Sequence, residues 1–327
     1  MKKLLRLLAV IFVVFLIAAI IVPMLVSKEL VKEKLIAQVE AATGRTLRID
    51  GNLELNFFPV TTVSMAAASL SSLPGDEEPL IVVESLEVGV AVLPLLAKEI
   101  QISKLEMIRP KIHLRINADG KNNWGFSSGE PGATTPAPES EKTDEPSPLP
   151  EDFQLNNVRV VGGEIYFRDA REKKSWDIKQ LDAAVSMSGM GNPFTLKGSG
   201  LWKQKTVSVD AQIDTLKAFL GGHKTEISAS AKSELLNADF DGVYERLEYT
   251  GQVNVGSSSL TALRQWLDPA AVRPSGTAPL ALQITGNLRC ASQQCEFKKA
   301  AISLDDIKAG GMASVDMSGR KPTVNIE

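Results

Sequence analysis

The chain has 327 residues, with 36 Lys and Arg against 39 Asp and Glu, and its net charge of −3 is spread so evenly that no basic patch marks a nucleic-acid partner. Aromatic residues make up only 6%, too few for base or sugar stacking to be the main business of the protein. Mean hydropathy is close to zero despite a long polar segment, so the folded parts are apolar for their size.

The first element, Leu7 to Val26, carries no charge. As a helix it reaches roughly 30 Å, the thickness of a bilayer's hydrocarbon core. Lys2, Lys3 and Arg6 precede it, and the positive-inside rule leaves that short end in the cytoplasm. A cleaved signal peptide is the competing reading. Its apolar region is normally shorter, about 7–15 residues, and ends in a small-x-small site, whereas this run ends in Pro23-Met24-Leu25-Val26. The expectation is an uncleaved, single-pass anchor spanning 7–26, with the remaining chain exported either way.

Ser27 to Ala42 follows as an amphipathic helix, with Leu30, Val31, Leu35 and Val39 at three- and four-residue spacing and Gly44 as its stop. It is expected to cover the open end of the sheet that comes next. From Leu47 the period changes to two. Leu86, Val88, Val90 and Val92, then Ile112, Leu114 and Ile116, then Val207, Val209, Ala211 and Ile213 alternate with wet positions, as do Ile227, Ala229 and Ala231, and Leu280, Leu282 and Ile284. Turns are expected at Asp119-Gly120, Gly162-Gly163, Asp241-Gly242 and Gly310-Gly311. Residues 127–150 are rich in Pro, Ser, Thr, Gly and Glu and read as a disordered linker.

A self-similarity spans that linker. Leu105, Met107, Pro110, Ile112 and Leu114 recur 53 residues later as Val158, Val160, Gly163, Ile165 and Phe167, which points to a sheet built from similar units along one axis. Helix is scarce after the first; the clearest is Ser259 to Leu267, with Leu260, Leu263, Trp266 and Leu267 on one face and Ser257 to Ser259 able to cap its start. That is too little helix to cover so many one-sided strands, so either a second sheet or something other than protein covers them.

Chemistry is sparse. His113 reads as a wet-face residue and His223 as part of a turn. No nucleophile elbow, zincin motif or phosphate loop occurs, so no catalytic, cofactor or metal residue is assigned and no enzyme is expected. Asp305-Asp306 would point to opposite faces of a strand. Asn122-Asn123-Trp124 reads as a turn pinned by Trp124 rather than a headgroup contact. Cys290 and Cys295, the two cysteines, sit in an exported segment with no His nearby to complete a metal site, and are read as a hairpin disulfide contributing about 2 kcal/mol.

The order of these features carries a resemblance. An N-terminal apolar segment is followed by Phe57-Phe58-Pro59 and Leu93-Pro94-Leu95-Leu96. The run Ile100-x-Ile102-x-x-Leu105-x-Met107-x-x-Pro110-x-Ile112-x-Leu114 then leads to Asp119-Gly120-x-Asn122-Asn123-Trp124. Later, Leu235-x-Asn237-Ala238-x-Phe240-Asp241-Gly242 and Ser259-Leu260-x-x-Leu263-x-x-Trp266-Leu267 continue it. Together they resemble the AsmA family of envelope proteins. The resemblance implies an inner-membrane anchor in a Gram-negative cell, a periplasmic body, and a mainly β fold. That fold is a long curved antiparallel sheet with a lipid groove and a few short helices, as in TamB-like and other bridge-type lipid-transfer proteins. An AsmA-like domain over 27–126 and its continuation over 151–327 follow, and the strand-like ending Val324-Asn325-Ile326-Glu327 reads as a truncation. The expected function is support of phospholipid transport to, and integrity of, the outer membrane. Phospholipid and the inner membrane are the expected partners, and Leu86, Val88, Val90, Val92, Ile112, Leu114, Ile116, Val207, Val209 and Ile213 the expected lipid-facing positions. The second reading is an assembly or scaffolding factor that engages outer-membrane assembly components through its sheet edge.

Overall fold

The computed structural model describes residues 28–56, 61–73, 76, 78–90, 102–125, 155–268, 280–317 and 323–326. The proposed anchor at 7–26, Ser27, Val92 and the linker at 127–150 lie outside the described residues. Among those residues no helix is long and apolar enough to cross a membrane.

The described chain is mainly β: seventeen strands belong to one sheet, with three helices beside it. Helix α1 (Lys28–Thr43) comes first and ends where Gly44, at φ 66°, donates its N–H to the Glu40 carbonyl. Strands β1 (Leu47–Ile49) and β2 (Leu53–Asn56) both pair with β3 (Thr61–Leu70), which pairs with β4 (Ile81–Val90). Val31 and Leu35 of α1 pack on a buried cluster of Ile49, Leu53, Met65, Ala68 and Val83. The first helix therefore covers the opening end of the sheet, as its amphipathic spacing implies.

Next to β4 lie β5 (Ile102–Ile108) and β6 (Lys111–Ile116), two halves of one ladder position. Both pair with β7 (Leu155–Asp169), and they do so in parallel. The expectation of a purely antiparallel sheet is therefore corrected: the sheet is mixed at this position. From β7 onward each strand pairs antiparallel with the next. The series runs through β8 (Lys174–Met187), β9 (Phe194–Trp202), β10 (Lys205–Ile213), β11 (Thr225–Lys232), β12 (Asn237–Glu245), β13 (Glu248–Ser257), β14 (Leu282–Ala291), β15 (Gln294–Leu304), β16 (Ile307–Asp316) and β17 (Thr323–Ile326).

Three expected turns are strand interior instead. Gly162-Gly163 lies in β7, Asp241-Gly242 in β12 and Gly310-Gly311 in β16. Gly242 and Gly251 face each other, and a Cβ at Gly242 would come within 2.4 Å of the Thr250 carbonyl oxygen, so these glycines serve close backbone approach. Two of the true hairpin turns are Lys203-Gln204 and Arg246-Leu247. All four of these residues have positive φ (45°, 64°, 51° and 63°), as a two-residue primed turn requires.

A local device keeps the apolar residues on one face despite irregular spacing. Ala67, Gly162, Gln180 and Lys299 inside strands, and Arg109 in the bend between β5 and β6, have φ between 46° and 62°. Each sits in the third place of an apolar-x-x-apolar group: Met65 to Ala68, Met107 to Pro110, Val160 to Gly163, Ile178 to Leu181, and Phe297 to Ala300. A left-handed residue adds a bulge that returns the next side chain to the original face.

Candidate functional site

Strand register aligns apolar side chains into rows across the sheet. One row runs Val63, Val88, Leu105, Val158, Val185, Leu196, Ala211, Ala229, Phe240 and Val253, each paired with the next. A second runs from Met65 through Leu86, Met107, Val160, Ala183, Gly198, Val209, Ala231, Ala238, Val255, Ile284 and Ile302 to Ala309. One face is thus apolar along the length of the sheet.

Among the described residues, protein covers this face only in places. At the start, α1 does so, and Leu86 and Val88 pack into its cluster. Farther on, helix α3 (Leu260–Leu267) lies along one lateral edge. Its N-cap Ser259 accepts a hydrogen bond from the Ala262 N–H at 3.2 Å, and Leu263 and Trp266 are buried against Leu235, Trp202 and Val207. Trp266 meets Trp202 edge-on at 5.0 Å, and its Nε1 donates to the Lys203 carbonyl at 3.2 Å. Leu267, expected on the buried face, is 46% exposed. On the opposite lateral edge the short helix α2 (Leu216–Leu220) sets Phe219 against Tyr244 at 4.6 Å.

Between these covers lies an apolar hollow of about 440 Å³ over β8, β9 and β10, bounded by Trp176, Ile178, Leu181, Leu196, Trp202 and Val209. Gly198 and Gly200 form its floor. Val209 is 40% and Trp176 37% exposed, large apolar groups left facing solvent.

Of the ten positions singled out from the sequence, Val207 and Val209 line this hollow, and Ile213 lies on the same face of β10. Ile112, Leu114 and Ile116 are half-buried in β6. Leu114 pairs with Phe167, which stacks on Trp176 at 4.9 Å and so joins this group to the hollow. The Val90 backbone pairs with Thr61 and Ile102. Sequence reading missed Trp176, Ile178 and Leu181, because the left-handed Gln180 breaks strict alternation in β8. Alternation with one bulge allowed would have found them.

The opposite face is polar. Lys104 lies 2.9 Å from both Glu106 and Glu87, whose hydrogen bonds raise its pKa, and Lys197 lies 3.3 Å from Asp210. Arg109 grips Glu84 with two nitrogens and holds that carboxyl below the usual carboxylate range. His113 stacks on Tyr166 at 5.3 Å, and its Nδ1 lies 3.0 Å from the Pro79 carbonyl. Asp305 is not a strand residue; it sits at φ 49° in the turn after β15, its carboxylate accepting the Ala281 N–H at 2.8 Å.

The Asn122-Asn123-Trp124 turn is pinned by Asn123 more than by Trp124. Asn123 is 1% exposed; it donates to Ser72 Oγ and the His113 carbonyl and accepts from the Arg115 N–H. Buried Arg45 donates to the Asn123 carbonyl at 2.6 Å, closing the plug. Cys290 and Cys295 face each other across β14 and β15 and are joined by a disulfide. Among the described residues no cluster of His, Cys, Asp or Glu is arranged to hold a metal.

No curated protein and no solved structure matches the chain. The model of the AsmA family matches residues 1–240, which takes in the apolar rows from β3 into β12 and the whole hollow. A mainly β chain with this match over more than half its length belongs to the AsmA family.

Proposed function

We propose that this chain is an inner-membrane-anchored, periplasmic lipid-binding protein that supports phospholipid transport to the outer membrane and its integrity, without catalysing a reaction. Family membership points to an envelope-related role. The observation that carries the lipid reading is the row of apolar side chains along one face, which the described residues leave open between α1 and the two lateral helices. At ~4.8 Å per strand, the rows from β3 to β16 extend roughly 60 Å. An acyl chain laid there gains about 0.8 kcal/mol for each methylene removed from water.

The test is native mass spectrometry of the detergent-solubilised full chain. Phospholipid co-purifies with the parent, and Val209→Arg, which puts a charge into the hollow from a position 40% exposed, strips it without unfolding the protein. A parent free of phospholipid would leave the apolar face without its proposed occupant.

A further inference from the structure

One lateral edge of the sheet carries a feature that folding does not explain. Leu247 ends the two-residue turn between β12 and β13 at φ 63°, a conformation that suits Gly or Asn and is costly for leucine, and it is 68% exposed. Leu220, the last residue of α2, is 52% exposed. The two connections are tied together, since the Arg246 N–H donates to the Gly222 carbonyl at 3.0 Å. Beneath them Phe219, Tyr244 and Tyr249 form a ladder with ring separations of 4.6 and 5.1 Å, and Tyr249 is 37% exposed.

We infer that this edge is a contact site for a lipid surface, with Leu247 and Leu220 as the inserting tips. The leucines stand on turn tips rather than in a groove, so a protein partner would need a pocket shaped for each, whereas the fluid interface of a bilayer accepts isolated apolar tips. The surroundings match that interface: a tyrosine lies beside the leucines, and Lys217 and Arg246 belong to the connections themselves. His223 and Lys224 are exposed next to them. The acids here are Asp214, Glu226, Glu245 and Glu248. Strand alternation puts Glu226, Glu245 and Glu248 on the polar face, away from the tyrosines, and Glu248 is held by Arg289 at 2.7 Å; Asp214 follows the end of β10. Lys203, Gln204 and Arg246 hold the same left-handed conformation with polar side chains in solvent, whereas Leu247 puts an apolar one there, as happens where function rather than folding selects the residue.

The experiment uses the full chain in nanodiscs, offered vesicles of phosphatidylethanolamine with phosphatidylglycerol. The parent captures vesicles. The double variant Leu247→Asn, Leu220→Ser loses at least ten-fold of that capture while its melting temperature stays level or rises, because Asn suits the left-handed position. Val209→Arg keeps the capture, which separates this contact from lipid held in the hollow. A parent that captures no vesicles, a double variant that captures as well as the parent, or a photocrosslinker at position 247 that captures protein rather than lipid would each overturn the inference.

Discussion

Arg109, in the bend between β5 and β6, lies beside Gly162 of the parallel strand β7, both left-handed, at φ 46° and 62°, with the Arg109 N–H donating to the Val161 carbonyl at 2.8 Å. Their separation of 53 residues is the offset of the sequence repeat, because β5 and β6 pair in register with β7: Leu105 with Val158, Met107 with Val160, Ile112 with Ile165. The repeat is therefore the register of a parallel pair, with a kink copied from one strand to its neighbour. Across the chain from Arg109, Glu84 grips its guanidinium on the polar face.

This kink predicts glycine dependence. Gly162→Ala is expected to destabilise the protein by about 1–2 kcal/mol, because a Cβ is strained at positive φ. Gly163→Ala will cost at least as much, since its Cβ would stand 2.9 Å from Val160 Cγ1 and 3.1 Å from Pro110 Cγ. Gly191→Ala, with nothing within 4 Å, should be neutral. Denaturant unfolding followed by circular dichroism ranks the three.

Removing the plug should be worse. Asn123→Ala leaves the His113 carbonyl, the Arg115 N–H and Ser72 Oγ without their partner in a site 1% exposed. At about 1 kcal/mol per lost bond the loss is about 2–4 kcal/mol, read as a lower midpoint at unchanged slope.

The disulfide closes a short loop, so its entropic share is small. Cys290→Ser with Cys295→Ser should cost about 2 kcal/mol, and a reductant should shift the parent's melting temperature to that of the double variant and leave the variant unmoved.

Alkaline titration offers a separate check. The Tyr166 hydroxyl donates to Glu164, and this bond, with burial adding to it, pushes the phenol up to about 12. A raised folded-state pKa means the stabilisation is complete below the unfolded value near 10 and is lost as pH rises towards 12. Tyr166→Phe should flatten the stability profile between about pH 10 and 12, and the corresponding late ionisation should vanish from the absorbance titration.

Much of the fold is legible in the sequence, because period-two runs such as Val207 to Ile213 and the spacing of Val31, Leu35, Leu263 and Trp266 record burial directly. What stays hidden is backbone conformation without its usual residues. The turns at Lys203-Gln204 and Arg246-Leu247 contain no Gly or Asn, while the pairs Gly162-Gly163 and Asp241-Gly242, which look like turns, lie inside strands. Left-handed Gln180 hides Trp176 and Ile178 from an alternation count, and with them half of the hollow. The parallel pairing stays unseen for another reason: a repeat fixes which residues correspond, and only the chain's path fixes that they touch.

The central claim, that the apolar face holds lipid, is tested most directly by photocrosslinking in living cells from two adjacent positions of β10. Val209 faces the hollow, and Ser208 faces the polar side. The account predicts phospholipid adducts from position 209 and few or none from 208. Equal yields from both, or protein adducts alone from 209, would contradict it.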